Sequence, residues 1–298
     1  MNDYQEDYKD GLCTVLVSSC DAYDDLWYPF FTILKKQWPE LSNYNIVLNT
    51  ESKSYHYEGL HIKCFELYSV GKKITWGKRL IETLERIDSK YIIFLLDDFF
   101  LTDRVDQSKI DKCVDYLEKD NNISVFQLHS TFDKRGVRSK DYAGFELRSK
   151  DGKWRLNTQA AIWRREKLVS YIRPHESAWD WEVYGSERSR RYTEDFYVLS
   201  EEEKSVFSYE AAWGGAIHRG KWTPYAVVLC NQYGIDIDFE IRGYETQKPP
   251  FDKPEYLGGK RGIKELFRPP FINRLYNYIH MWLVDYPRAS ITKYRSLR

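Results

Sequence analysis

One segment of this sequence limits the fold more than any other: the run YIIFLLDDFFL at 91 to 101. Its first six residues, Tyr91 to Leu96, are all apolar or aromatic, too few to cross a membrane and typical of a central strand covered on both faces. Two adjacent carboxylates, Asp97 and Asp98, follow directly. In open α/β sheets ligands bind beyond the carboxyl ends of the strands, so we expect a binding site here. The alternative is that one aspartate caps the next segment and the other is solvated.

The segments around this run alternate short apolar stretches with helical patterns, which is the rhythm of a parallel sheet whose strands are joined by helices. After residue 130 the sequence becomes more polar, yet further strands and helices are indicated. We therefore expect an α/β fold whose mixed, mainly parallel sheet is flanked by helices. The predicted strands lie at 14 to 19, 45 to 50, 62 to 67, 91 to 96, 124 to 130, 145 to 149 and 159 to 165, and the predicted helices lie at 24 to 38, from about 75, at 106 to 119, at 165 to 172 and from about 179.

Charge and cysteine content argue against several classes of protein. The 45 basic residues balance 45 acidic ones, so no overall field attracts nucleic acid. The five cysteines are odd in number and form no CxxC pair, which argues against a disulfide framework and against a zinc site. The first ten residues are acidic and lack the apolar core of a signal peptide. These features predict a protein of the reducing cytoplasm.

The helical pattern TWGKRLIETLERI at 75 to 87, followed by YIIFLLDDFFL, resembles the DxD region of glycosyltransferases of the GT-A fold. The resemblance is strongest to the family 2 type found in bacterial surface polysaccharide clusters. It implies a GT-A fold in which the carboxylates after the central strand meet a nucleotide sugar, usually through Mn2+ or Mg2+. Phe99 occupies the third position of the DxD pattern, so donor contact is a safer expectation than metal dependence. Lys78 and Arg79 of the preceding helix are further donor-binding candidates.

The ends of the first two predicted strands supply further candidates for the donor pocket. The first strand is followed by small hydroxyl residues that permit close approach and by side chains that can hydrogen-bond or stack on a base. The alternative there is an ordinary strand exit with a helix cap at Asp24. The second strand ends at a position that, in the resembling enzymes, often reads uracil or ribose. The donor-binding candidates from these two strand ends are Ser18, Ser19, Asp21, Tyr23, Asn49 and Glu51.

A second cluster of candidates is the segment Trp179, Asp180, Trp181 and Glu182. An acid at the start of a helix and flanked by indoles resembles the general base of inverting GT-A enzymes, which takes the proton of the attacking hydroxyl. The resemblance favours Glu182 over Asp180, and the indoles of Trp179 and Trp181 are candidates for binding the acceptor sugar. The alternative is that these acids pair with Arg188 or Arg190.

The third cluster is the segment from Gly214 to Trp222. Its two leading glycines let backbone amides approach a phosphate, and its basic side chains can neutralise a departing diphosphate. Arg219 and Lys221 are donor-binding candidates, and the resemblance makes His218 a metal ligand together with Asp98. The alternative is a basic surface turn that binds no ligand.

These features together predict a glycosyltransferase that moves a sugar from a nucleotide-sugar donor to a hydroxyl of a glycan or lipid-linked acceptor. Inversion at the anomeric carbon and a role in capsule or lipopolysaccharide synthesis follow from the resemblance. One alternative is a non-catalytic carbohydrate-binding or scaffold protein. Another is a sugar-phosphate nucleotidyltransferase, although the segment after the first strand, SSCDAYDD, lacks the Gly-rich basic loop expected of that class.

The chain divides into a catalytic domain at 1 to 247 and a C-terminal region at 248 to 298. The donor half is expected at about 12 to 130 and the acceptor half at about 131 to 247. The C-terminal region begins with a linker rich in proline and glycine, and from Lys260 onward it carries nine Lys or Arg against two acids. Apolar residues recur there at helical spacing, which suits the surface of an anionic membrane; the alternative is a helix packed on the domain or on a second copy. The apolar residues are Leu266, Phe267, Phe271, Leu275, Tyr278, Ile279 and Trp282.

Overall fold

The computed structural model describes residues 11–129, 136–210, 213–247, 275–276 and 279–285. Its centre is a nine-stranded sheet in the order β3-β2-β1-β4-β8-β5-β9-β7-β6. Seven of these strands run in one direction, and only β7 and β8 run against them. The prediction of a mixed, mainly parallel α/β sheet flanked by helices is confirmed. The strands are β1 (Cys13–Ser18), β2 (Asn45–Asn49), β3 (His61–Lys63), β4 (Tyr91–Leu96), β5 (Ile123–Gln127), β6 (Val137–Arg138), β7 (Phe145–Leu147), β8 (Ala161–Arg164) and β9 (Asp195–Leu199).

Helices lie on both faces of this sheet, and a small hairpin follows it. The helices are α1 (Asp24–Gln37), α2 (Trp76–Leu84), α3 (Gln107–Lys119), α4 (Arg165–Tyr171), α5 (Ala178–Asp180), a π-helical turn (Trp181–Gly185), α6 (Ser186–Ser189) and α7 (Pro224–Gln232). The hairpin is formed by β10 (Ile217–His218) and β11 (Lys221–Trp222). The third predicted strand, 62 to 67, is shorter than expected, since β3 ends at Lys63.

The strand β4 is central, as its apolar run predicts. Tyr91, Ile93 and Leu95 belong to the hydrophobic core on one face of the sheet, and Ile92 and Phe94 belong to the core on the other. Because successive side chains of a strand point to opposite faces, the run must be apolar at every position to be buried on both sides. Its flanking strands are β1, which is parallel to it, and β8, which is antiparallel.

The predicted C-terminal tail falls mostly outside the described residues. Leu266, Phe267 and Phe271 of its apolar set are outside them, and so are the side chains of Tyr278 and Trp282. No helix in the described part of the chain is long and apolar enough to span a membrane.

The start of α2 packs tightly on the loop that precedes α5. The backbone N–H of Gly77 donates to the carbonyl oxygen of Glu176 at 2.9 Å. A Cβ at position 77 would lie 2.1 Å from the carbonyl oxygen of Arg173 and 3.1 Å from that of Glu176. Only glycine therefore permits this contact between the donor-side helix and the segment that leads to the Trp179–Glu182 cluster.

We expect Gly77→Ala to lower the free energy of unfolding by about 1 to 3 kcal/mol, because one of two backbones must move. Gly11→Ala is the matched control, since the nearest atom to its added Cβ is the Ser89 hydroxyl oxygen at 3.9 Å. Urea unfolding measures both variants. Equal stability of the two variants would show that the contact at Gly77 is not tight.

Candidate functional site

The candidate site lies at the carboxyl edge of the parallel strands. The last residue of β1, Ser18, is in register with Asn49 at the end of β2 and with Leu96 at the end of β4. Asp97 and Asp98 follow Leu96 and so reach this edge, which is where open α/β sheets bind ligands. The structure therefore brings the predicted residues of the first, second and fourth strands together.

Asp97 is almost completely buried. It accepts a short hydrogen bond from the hydroxyl of Ser19, and the indole N–H of Trp27 donates to the same hydroxyl oxygen at 2.7 Å. Burial raises the pKa of Asp97 to about 7, although the Ser19 hydroxyl, the backbone N–H and the Arg79 charge oppose the rise. Near neutral pH this carboxyl therefore binds a proton or a cation readily.

Asp98 contacts the glycine loop that the sequence analysis singled out. Its carbonyl oxygen accepts from the N–H of Ala216 at 2.6 Å, and a Cβ at Gly215 would lie 2.7 Å from its Oδ2. Its Oδ1 is buried and has no hydrogen-bond partner among the residues that the structure describes. Burial, followed by the neighbouring charge of Asp97, raises the pKa of Asp98 well above its usual range. A buried carboxylate oxygen with no protein partner is suited to contact a water, an ion or a ligand.

Asp21, Glu51 and Arg79 form a network that joins the loops after β1 and β2. Asp21 accepts from the backbone N–H groups of Glu51 at 2.9 Å and of Ser52 at 3.0 Å. Glu51 in turn accepts from the N–H of Asp21 at 2.5 Å and pairs with Arg79, which also donates to the carbonyl oxygen of Ser19 at 2.5 Å. These three side chains are engaged with one another and with backbone groups, so they join the two loops at this edge of the sheet.

Lys78, from the same helix as Arg79, does not point toward this network. Its side chain is about half exposed, and its ammonium lies 3.9 Å from the Glu82 carboxylate one helical turn later. Adjacent helical residues point about 100° apart, so the burial of Arg79 turns Lys78 toward solvent. The donor role of Lys78 remains a prediction.

Asn49 and Tyr23 are two further polar candidates near this edge of the sheet. Asn49 is 2 % exposed, and within the described part of the chain neither atom of its side-chain amide has a hydrogen-bond partner. Tyr23 is half-buried, with the guanidinium of Arg242 4.8 Å from its ring centre. Ser18 accepts from the indole N–H of Trp76 at 3.0 Å. Of these groups, the amide of Asn49 is the one left to bind a ligand.

The two acids of the Trp179–Glu182 segment have different environments. Asp180 Oδ2 accepts from the hydroxyl of Ser177 at 2.7 Å and from its N–H at 3.1 Å, which forms a capping box at the start of α5. Glu182 is buried, and its Oε1 accepts from both the N–H and the hydroxyl of Thr158, each at 2.7 Å. Burial raises the pKa of Glu182, while the two hydrogen bonds from Thr158 oppose the rise.

The alternative that these acids pair with nearby arginines is not borne out. Arg188 forms a bidentate ion pair with Glu176, with N···O distances of 2.5 and 2.9 Å. Arg190 pairs with Glu187 at 3.0 Å. Asp180 therefore caps the helix, and Glu182 is held by a neutral residue.

The two indoles of this segment face in opposite directions. Trp179 is 69 % exposed, so its ring is available to a sugar. Trp181 is 1 % exposed and packs against Trp163 and Trp76, with ring centres 6.0 and 5.6 Å away. The prediction that Trp181 binds the acceptor is wrong, because this ring is part of the hydrophobic core.

Tyr209 links the acidic pair to Glu182. Its ring stacks on Phe99, with 4.2 Å between ring centres, and its hydroxyl donates to Gln159 at 2.6 Å. Burial chiefly raises the pKa of Tyr209, and the charges of Asp98 and Glu182 raise it further. Phe99 directly follows Asp98, and Gln159 directly follows Thr158, which donates to Glu182. Tyr209 therefore contacts both the segment of the acidic pair and the loop that holds Glu182.

The hairpin that carries His218, Arg219 and Lys221 starts beside Asp98 and extends to the surface. His218 Nδ1 lies 3.0 Å from Oε2 of Glu245. Arg219 has a φ of 52° and Gly220 of 79°, which is the geometry of a tight hairpin turn, and both Arg219 and Lys221 are exposed. The donor roles of Arg219 and Lys221 remain predictions.

The predicted metal ion is supported by one carboxylate oxygen and by no complete ligand set. Within the described residues no three His, Cys, Asp or Glu side chains are arranged to hold an ion. The unpartnered Oδ1 of Asp98 nevertheless fits a hard cation such as Mg2+, which is usually held by one or two carboxylates together with substrate phosphates. The residues present therefore suit an ion that arrives with a diphosphate, and His218 as its ligand remains a prediction.

The residues that contact the candidate site and that no sequence motif indicates are Thr158, Tyr209, Tyr225 and Arg242. Tyr225 donates to the carbonyl oxygen of Asp98 at 3.3 Å. Arg242 donates to Asp25 at 2.5 Å and to the carbonyl oxygen of Ala22 at 2.7 Å. None of these residues is part of a motif, and each reaches the site through contacts between distant parts of the chain.

No protein-family model matches this chain, and no curated protein is a significant match. Solved structures similar to it include TarS of S. aureus, residues 1–349, with 13% identity over 90% of this chain and 80% of that one and a TM-score of 0.45. They also include the mannosyltransferase PcManGT of Pyrobaculum calidifontis in complex with GDP-Man and Mn2+, with 14% identity over 93% and 71% of the two chains and a TM-score of 0.44. A cytidylyltransferase of Leptospira borgpetersenii has 14% identity over 66% and 79% of the two chains and a TM-score of 0.41. Because these values are low, function is inferred below from the residues of this chain.

The raised pKa of Asp97 predicts how stability depends on pH. Between its usual pKa of 3.8 and the folded value of about 7, the folded protein holds a proton that the unfolded chain releases. This contribution to stability is complete below the unfolded pKa and is lost as the pH rises through the folded pKa. Asp97→Asn removes the loss, so the melting temperature of the variant minus that of the wild type should increase from about pH 5 to about pH 8.

Thermal unfolding without divalent ions measures this difference, and Asp141→Asn at an exposed position is the control. A difference for Asp97→Asn that stays constant with pH would show that Asp97 is ionised throughout the range.

Proposed function

We propose that this chain is a GT-A-type glycosyltransferase that moves a sugar from a nucleotide sugar to an acceptor hydroxyl with inversion. The observation that carries the proposal is the placement of two kinds of acid near Tyr209. The Asp97–Asp98 pair precedes Phe99, on which Tyr209 stacks, and the separate, buried Glu182 accepts from Thr158, the neighbour of the Gln159 that Tyr209 contacts. Sugar transfer requires both a site for the diphosphate and a base for the acceptor. The two acidic groups correspond to these two requirements.

The donor is proposed to bind at the carboxyl edge of β1, β2 and β4. The amide of Asn49, buried and without a partner, offers one donor and one acceptor to a base or ribose. Asp98 offers its free oxygen toward the diphosphate, and a Mg2+ or Mn2+ ion bound there would neutralise the negative charge that develops on the leaving group. The amides of the Gly214–Ala216 loop lie beside the same carboxylate.

Glu182 is proposed to be the general base. Its burial raises its pKa toward the operating pH, which favours proton transfer from a hydroxyl. Asp180 is less suited to this role, because its carboxylate is engaged in the capping box with Ser177. The exposed ring of Trp179, three residues before Glu182, is proposed to support the acceptor sugar.

Two substitutions should separate donor binding from proton transfer. Asp98→Asn is expected to abolish donor binding and turnover, because the cation or phosphate loses its charged partner. Glu182→Gln is expected to lower kcat by about 10² or more and to leave donor affinity unchanged. Asp180→Asn is the matched control for Glu182→Gln and should retain near wild-type kcat.

The measurements are calorimetric binding and hydrolysis or transfer across UDP-, GDP- and dTDP-sugars, each with and without Mn2+. Binding without turnover under every condition would favour a carbohydrate-binding or scaffold protein. Release of pyrophosphate from a nucleoside triphosphate and a sugar phosphate would favour a nucleotidyltransferase. A loss of kcat in Asp180→Asn alone would transfer the role of base to Asp180.

The acceptor is proposed to be a growing surface glycan, such as capsule or lipopolysaccharide, or its lipid-linked precursor at a membrane surface. Leu275, Ile279 and Leu283 are spaced four residues apart and are 37, 44 and 71 % exposed, whereas Met281 is buried. The described part of the tail thus exposes three apolar side chains at a spacing of four residues, and the sequence around it is rich in Lys and Arg. Each basic residue near anionic headgroups contributes about 1 kcal/mol to binding.

The full-length protein should sediment with phosphatidylglycerol vesicles at low salt, and Leu283→Asp should abolish this while activity on a short soluble acceptor persists. Val137→Asp is the control, because Val137 is 69 % exposed on the distant edge strand β6. Equal sedimentation of both variants, or no sedimentation of the wild type, would favour the alternative that the tail contacts only protein.

A further inference from the structure

The loop between β7 and β8 reaches the buried acid of the site. Thr158 of this loop directs two donors, its backbone N–H and its hydroxyl, to the same oxygen, Oε1 of Glu182, at 2.7 Å each. Among the described residues no group donates to the other oxygen, Oε2. The carboxylate is therefore held asymmetrically, with one oxygen occupied and one available.

The loop and the helical segment that carries Glu182 are fastened together at a second point. The hydroxyl of Ser186, one helical turn after Glu182, accepts from the N–H of Leu156 and donates to its carbonyl oxygen, each at 3.0 Å. Both groups are buried. Thr158 is therefore held opposite Glu182 by a contact that does not involve Glu182 itself.

The loop is also stabilised from within. The side chain of Asn157 donates to the carbonyl oxygen of Trp154 at 2.9 Å and accepts from the N–H of Gln159 at 3.1 Å. Gln159 then accepts from the hydroxyl of Tyr209 at 2.6 Å. The residues on both sides of Thr158 are thus fixed, which leaves the Thr158 donors little freedom to move away from Glu182.

We propose that Thr158 is a positioning residue that fixes Oε1 of Glu182 and thereby presents Oε2 to the acceptor hydroxyl. This inference rests on the proposed function, because it assigns a partner to the proposed base. In the transfer step the acceptor proton moves to Oε2 and a bond forms between the acceptor oxygen and the anomeric carbon. The bond from that carbon to the diphosphate oxygen breaks, and its electron pair leaves with the nucleoside diphosphate.

Thr158→Val removes the hydroxyl and keeps the shape and the backbone N–H, whereas Thr158→Ser keeps both donors. Loss of a hydrogen bond to a carboxylate raises the pKa of the acid by about one unit. Carbon-13 NMR titration of labelled glutamate side chains, with the Glu182 signal assigned by its absence in Glu182→Gln, measures this without substrate. We expect an upward shift of ~1 unit in Thr158→Val and no shift in Thr158→Ser.

The same variants have a kinetic signature. In Thr158→Val the acid limb of the kcat profile should move to higher pH by the same amount, with KM for the donor unchanged, and Thr158→Ser should restore the wild-type profile. If Thr158→Val disturbs folding, Thr158→Ala replaces it. This smaller side chain also lacks the hydroxyl, so the same shift of the kcat profile is expected. Thr14→Val is the matched control, since Thr14 is also buried and bonds Ser89 at 2.6 Å at the opposite end of β1.

Two outcomes distinguish this inference from the proposed function. Superimposable titrations of Glu182 in wild type and Thr158→Val overturn the role of Thr158, even if Glu182→Gln is inactive. A shifted titration together with full activity of Glu182→Gln overturns Glu182 as the base and leaves the hydrogen bonds to it established.

Discussion

Two adjacent carboxylates at the end of β4, Asp97 buried and Asp98 half-buried with a buried Oδ1, are the constraint on which the rest of the site depends. A buried carboxylate is costly unless hydrogen bonds or positive charge offset the lost hydration. Asp97 receives such compensation from Ser19 and the nearby Arg79, whereas Oδ1 of Asp98 receives none. The folded protein is therefore destabilised locally by the unpartnered Oδ1 of Asp98. A ligand that contacts this atom would remove the cost, which is the usual meaning of an unsatisfied polar group at the edge of a sheet.

The loops around this pair are held by hydrogen bonds and one ion pair within the protein. Asp21 is satisfied by backbone N–H groups, and Glu51 pairs with Arg79, so the ends of β1 and β2 form one rigid rim. From the sequence alone, Asp21 and Glu51 look like ligands for a donor. Their contact with each other cannot be seen there, because the two residues are 30 positions apart. A charged residue at a strand end is thus a candidate ligand only when the fold leaves it unpaired, as it does for Asp98 and for the neutral amide of Asn49.

The sheet and its helices could be predicted because their signals are local. A run of apolar residues specifies β4, and Asp106 caps α3 three residues from the N–H it accepts. The contact between Thr158 and Glu182 spans 24 residues and carries no periodicity, so no sequence pattern reveals it. The wrong assignment of Trp181 has a geometric reason. Residues two apart on a helix point about 200° apart, so Trp179 and Trp181 cannot both face an acceptor.

The two acidic groups differ in a way that suits different tasks. Asp97 and Asp98 are adjacent, so each raises the cost of ionising the other, and positive charge is required for both to be negative at neutral pH. Burial raises the pKa of Glu182, and among the described residues its hydrogen bonds come from Thr158 alone, to one oxygen. A cation at Glu182 would hold the carboxylate ionised and weaken it as a base. Under the proposed function, a cation beside Asp97 and Asp98 would stabilise the leaving diphosphate. Glu182 works better as a base without a cation, because its carboxylate must accept a proton from the attacking hydroxyl.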